Sequence, residues 1–130
     1  MSLAAILSPL AYASSAFILL PAGRDIFSPT TPILPGEDKN MPLMTPASPK
    51  AKIFMWGVWG LNHCALSALK ILAVYRGDKE MLLFTGVTAA ITLGYLIKER
   101  GSFKEADGDV DGFVAVCTVQ TISLLGLALM

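Results

Sequence analysis

Four runs of apolar residues, each long enough to cross a lipid bilayer, decide most of what this chain can fold into. Leu3–Ala22 has 20 residues without a charge, Ile53–Tyr75 has 23 with one Lys, Met81–Ile97 has 17 and Phe113–Met130 has 18. A membrane-spanning helix needs about 20 apolar residues, within a range of roughly 17–25. Helices of a soluble bundle would instead show polar residues at every third or fourth position, and these runs do not. The expectation is an all-α fold, an integral membrane bundle of four transmembrane helices in which residues 1–130 form a single membrane domain.

Composition supports that expectation and excludes one class of partner. Hydrophobic residues make up 54% of the chain and charged residues 15%, a shortage of charge that a small soluble domain with a large surface would not tolerate. Net charge is zero, so no basic excess exists to neutralise the phosphates of a nucleic acid. Cys64 and Cys117 each lie inside an apolar run, without metal-site or haem-attachment spacing, and read as small core residues. The first run has no basic residue ahead of it and so reads as a transmembrane helix rather than a secretory signal. Pro9 removes one of its backbone hydrogen bonds and is expected to kink it.

Basic residues orient the bundle. Arg24, Lys39, Lys50 and Lys52 follow the first run and Lys98, Arg100 and Lys104 follow the third, whereas only Arg76 and Lys79 occupy the tight "RGDKE" hairpin between the second and third. The loops at 23–52 and 98–112 are therefore expected on the cytosolic, stromal or matrix side, with both termini opposite. Residues Gly23–Lys52 contain six prolines, which suit extended chain or turns and not the interior of a helix or sheet. Ile33, Leu34, Met41, Leu43 and Met44 could pack this loop down. An ordered loop of this kind on so small a chain points to a neighbouring subunit that holds it.

Chemistry concentrates in the second run. At 100° per residue, Trp56, Trp59, Gly60, His63, Ser67 and Lys70 fall within a sector about 120° wide. Phe54, Val58, Leu61, Ala65, Ala68 and Leu72 lie opposite, on a face suited to lipid. The polar sector should therefore face protein or a cofactor, and His63, near mid-span, is the intramembrane ionisable group to examine first. A neutral imidazole could ligate a pigment's magnesium, or bond across helices to Thr88, Thr92, Gln120 or a backbone carbonyl. A bis-His haem is excluded because the chain has one His. Lys70 lies about 7.5 Å from the end of its run and is expected to snorkel there towards Asp78 or Glu80.

Two other patterns read as packing or capping. Gly86, Ala90 and Gly94 recur at spacing four, and Ala11, Ser14 and Ser15 make the first run similarly small-sided, which allows close helix approach. "DGDVDG" at 107–112 matches the first half of a calcium loop, but the twelfth position is Thr118 where Glu belongs. Asp109 and Asp111 are expected instead to cap the last helix.

The tight charged hairpin and the Gly- and Trp-rich second run, "GVWGLNHCALSALKILAVYRGDKEMLL", resemble small DoxX-like membrane proteins. That resemblance implies the four-helix membrane architecture and carries over no catalytic residue.

No acid, base, nucleophile and metal assemble in the sequence, and no span contains a carboxylate that would serve a proton path. The expected function is a non-catalytic accessory subunit that bridges other subunits of a larger photosynthetic or respiratory complex. The thylakoid or mitochondrial inner membrane would house it. It would hold lipid or a chlorophyll-type pigment, with Trp56, Trp59 and His63 as cofactor-binding residues. The alternative is a stand-alone small membrane enzyme or carrier using His63 with Gln120 or Lys70 on a lipophilic substrate.

Overall fold

In the computed structural model the described residues are 2–28, 31–34, 49–105 and 109–130, with side chains of the second helix described from Met55 onward. These residues form four helices: α1 (Leu3–Phe27), α2 (Pro49–Arg76), α3 (Lys79–Glu105) and α4 (Asp111–Ala128). All four are long and apolar enough to cross a membrane.

Local chemistry sets most of their ends. The Ser2 hydroxyl accepts the Ala5 N–H at 3.4 Å and opens α1, which then continues through Pro9 and Pro21 as one helix. α2 begins on Pro49, a position where the missing N–H costs nothing. At its other end Gly77 takes φ 62°. Its N–H reaches Val74 O at 3.3 Å while that of Asp78 reaches Ala73 O at 3.3 Å, the paired bonds of a Schellman stop. The Asp78 carboxylate then accepts the N–H groups of Glu80 and Met81, both at 3.1 Å, and starts α3. Asp78 is thus occupied as a cap and does not meet Lys70.

Three helix ends differ from expectation. α1 runs on to Phe27, so Arg24 belongs to a helix and not to a loop. α3 runs on to Glu105, and Lys98, Arg100 and Lys104 sit on its final turns. Hydropathy marks the apolar stretch only, whereas a helix continues until its backbone finds another partner. α4 starts at Asp111 with Val110 in the cap position and no side-chain cap. Asp109 accepts the Asp111 N–H at 2.8 Å, and the Asp111 carboxylate instead receives Arg100 through two bonds of 2.7 and 2.9 Å. That bidentate pair closes the α3–α4 corner. Among the described residues no three metal-ligating side chains converge. Most of the proline-rich loop lies outside the described residues, as do Lys39, Met41, Leu43, Met44 and Asp107.

The helices pack as two intimate pairs, α1 with α2 and α3 with α4, joined mainly through α1 and α4. Contact between α2 and α3 is slight although a two-residue turn links them, and α2 scarcely touches α4. The apolar core, Ala11, Ala73, Leu82 and Leu124, lies at the hairpin end. The small faces of the sequence are used here: Ala11 and Ser15 are fully buried. In the row on α3, Gly86 packs on α4, while the Gly94 position faces open space.

Gly86 is the tightest crossing in that pair, since a Cβ there would stand 2.6 Å from Leu125 Cδ2 and 3.1 Å from the Leu125 backbone N. A side-chain rotation alone cannot clear the second contact. Gly86→Val should therefore lower stability by about 1–3 kcal/mol, whereas Gly94→Ala should be near neutral. Unfolding of both variants in mixed micelles, followed by circular dichroism, checks the contrast.

Candidate functional site

Away from the apolar core the bundle opens into a cavity of about 170 Å³. Its wall includes residues of α2 from Trp56 to Lys70, so it extends along the bundle for about 21 Å at 1.5 Å per residue. The surface is mostly apolar, with Ile18, Leu96, Phe103 and Phe113 among its residues. Trp59 is 52% exposed and Leu66 37%. With Thr92 exposed on α3, they leave the cavity accessible from the side where α2 and α3 barely touch.

The polar stripe of α2 faces this space. Trp56, Trp59, His63, Ser67 and Lys70 all line it, and Gly60 is buried. Val58, Leu61, Ala65, Ala68 and Leu72 are exposed on the other side. The side chain of Phe54 lies outside the described residues. The 3.6-residue period therefore separates an inward polar face from an outward apolar one.

His63 is held by its own helix and not by a neighbour. Its Nδ1 lies 2.9 Å from Trp59 O, and its ring stacks on the Trp59 indole with centroids 4.5 Å apart and planes at 28°. A carbonyl oxygen only accepts, so Nδ1 carries the proton. In the neutral ring the lone pair is then on Nε2, at the far edge from that bond. The proposed cross-helix partners are engaged elsewhere: Thr88 donates to Thr85 O at 2.8 Å, Thr92 to Thr88 O at 2.9 Å, and Gln120 to Ser14 O at 3.1 Å.

Lys70 does not snorkel to the hairpin. Its Nζ donates to Gln120 Oε1 at 2.9 Å across the bundle. Gln120, 1% exposed, therefore joins α4 to α2 through its oxygen and to α1 through its nitrogen. Sequence reasoning named both residues but did not pair them, because 50 positions separate them and neither lies in a local motif.

Two further features escaped the sequence. Arg24 and Asp25 line the cavity as an ion pair, Nε to Oδ1 2.6 Å, with side chains only 6% and 5% exposed. Arg24 also donates to Thr31 O at 2.7 Å. A charged dipeptide after an apolar run looks like a loop, and only folding shows that α1 carries it inward. The second feature is Trp56, 4% exposed, whose indole N–H is buried without a hydrogen-bond partner. A buried donor of this kind is uncommon and costs about 1–3 kcal/mol when nothing accepts from it. The arrangement can do simple chemistry: it offers an ammonium donor, one imidazole and mostly apolar walls.

Gln120→Leu should destabilise the fold by about 1–3 kcal/mol, because it strips the Lys70 ammonium of its hydrogen-bond acceptor. Adding Lys70→Met should restore much of the loss, since the pair is then replaced together. Denaturation midpoints of the two single variants and the double variant measure the coupling.

Compared with models of protein families, with curated proteins and with solved structures, the chain matches none.

Proposed function

We propose that this chain is an integral membrane protein that holds a lipophilic molecule inside its bundle, as a non-catalytic subunit of a larger membrane assembly. The observation that carries the holding role is the cavity itself, mostly apolar along α2 with the Lys70 ammonium on its wall. A guest with an oxygen acceptor would meet that ammonium while its chain covers the apolar surface. The stacked Trp59 and His63 rings give a flat surface for a guest entering from the side.

Of lipid and pigment, the cavity favours lipid. Its volume of about 170 Å³ is below the roughly 300–1,000 Å³ of pockets for drug-sized ligands. A pigment macrocycle would have to rest on the exposed Trp59–His63 edge, with its magnesium on Nε2. Asn62 supports the subunit role. It lies near the middle of the apolar part of α2 and is exposed, and among the described residues its carboxamide has no hydrogen-bond partner. A carboxamide at such a depth is best satisfied by another helix. Lys98, Arg100 and Lys104 on the final turns of α3 support a reading in which this side faces the cytosol, stroma or matrix, as in a thylakoid or mitochondrial inner membrane. DoxX-like ancestry belongs to the same proposal.

One observation favours the alternative, a small enzyme or carrier for a lipophilic substrate: Lys70, Gln120 and His63 share the cavity wall. Purification from the native membrane in gentle detergent, with particle mass and lipid or pigment content recorded together, separates the two. A particle much heavier than 13.8 kDa that retains a stoichiometric lipid or pigment is the expected result. A particle of the chain's own mass with no retained lipophile overturns the subunit and the holding roles together. In the expected case His63→Ala should lower retention of the guest by about tenfold, the loss of one good contact.

A further inference from the structure

Charge accounting within the cavity identifies the guest more closely. Arg24 and Asp25 neutralise one another at 2.6 Å. His63 places its Nδ1 proton on the Trp59 carbonyl and brings no negative charge. Lys70 remains, and the group it bonds is the neutral carboxamide of Gln120 at 2.9 Å. The other polar groups on the cavity wall near it, Ser67 and Cys117, bring no carboxylate. Among the described residues no acidic side chain forms an ion pair with Lys70.

An ammonium at this depth is ordinarily matched by a partner of opposite charge. Gln120 cannot supply that charge, and it also fixes where the charge is needed. Its Oε1 takes one of three N–H donors, and the remaining two stay with an ammonium that lines the cavity. Two donors on one positive centre suit a carboxylate or phosphate oxygen. The wall that runs from Lys70 towards Trp56 and Phe103 is mostly apolar, with Leu66 and Leu96 among its residues, and it also carries Ser67, His63 and the Arg24–Asp25 pair. A space of about 170 Å³ spread along that length is narrow and open on one side, a shape that suits one chain better than two.

We propose that the cavity takes a single-chain amphiphile with an anionic oxygen head, a long-chain carboxylate, with its head on Lys70 and its tail along the slot towards Trp56. This assignment rests on the proposal that the cavity holds a lipophile. Entry is lateral, between α2 and α3. The Gln120 carboxamide holds the Lys70 ammonium in place for the head, so Gln120 is a positioning residue and Lys70 the contact.

The test is equilibrium binding of radiolabelled oleate to the full chain in phosphatidylcholine nanodiscs, compared with methyl oleate, oleoyl lysophosphatidic acid and dioleoyl phosphatidic acid. Oleate should bind at one per chain and at least tenfold more tightly than its methyl ester. Lys70→Met should bring oleate down to the affinity of its ester, whereas Lys70→Arg, which keeps the charge, should preserve the preference. Retention of the ester also shows that the variant is folded. Lysophosphatidic acid outcompeting oleate would overturn the carboxylate in favour of a phosphate head on the same lysine. Equal binding of acid and ester, or oleate binding untouched by Lys70→Met, would overturn the anionic head while leaving the lipophile-holding role intact. Competition by dioleoyl phosphatidic acid at the affinity of oleate would overturn the one-chain slot. Binding of none of the four would overturn both this assignment and the cavity's holding role.

Discussion

The hydrogen bonds of Gln120 are the constraint around which this bundle is arranged. A carboxamide buried to 1% exposure must place both its donor and its acceptor inside the protein. Here the nitrogen goes to Ser14 O on α1 and the oxygen to Lys70 on α2. One side chain thus joins three helices across a diagonal where α2 and α4 hardly meet. Between membrane-spanning helices in general, apolar contacts alone do not fix such a relation, because lipid tails are as apolar as leucine. A polar bond with only one set of partners selects one rotation of α4. Ser123 and Thr85, both buried, contribute no such selection, since their hydroxyls turn back to carbonyls of their own helices.

How the helices diverge follows from what fills each end. At the hairpin the core consists of Ala11, Ala73, Leu82 and Leu124, two of them small enough to let backbones approach. The Schellman stop at Gly77 and the Asp78 cap hold α2 and α3 together there. At the other end Trp56, Phe103 and Phe113 stand between the helices. Aromatic rings cannot pack as closely as alanines, so the same pair of helices that meets at the turn separates lower down. The Arg100–Asp111 pair then restrains α3 against α4, leaving the α2–α3 side as the one that opens.

Length and period are legible in the sequence because each reflects one physical requirement. The four apolar runs are each long enough to cross a bilayer, and the helical repeat of 3.6 places Trp56, His63, Ser67 and Lys70 on one face whatever the neighbours are. Helix ends are less legible. Lys98–Glu105 contains charges and Gly101, which suggests a loop to a hydropathy argument, yet its backbone has no better partner than the helix and Arg100 finds Asp111. Arg24 misleads for a related reason, as its charge is compensated by the adjacent Asp25 and can be buried. Pairings across 50 or 106 positions, Lys70 with Gln120 and Gln120 with Ser14, carry no local signal at all.

The chemistry of the cavity wall bears on binding against catalysis. A histidine acting as general base forms an imidazolium, which is best stabilised by a carboxylate on its other nitrogen. The His63 Nδ1 proton goes instead to a backbone carbonyl, a partner that orients the ring without matching a positive charge. Asp25, the carboxylate of the same wall, is engaged by Arg24 at 2.6 Å. Lys70 is a donor on that wall, and under the proposed holding role it rewards a guest that brings an oxygen acceptor and remains in place.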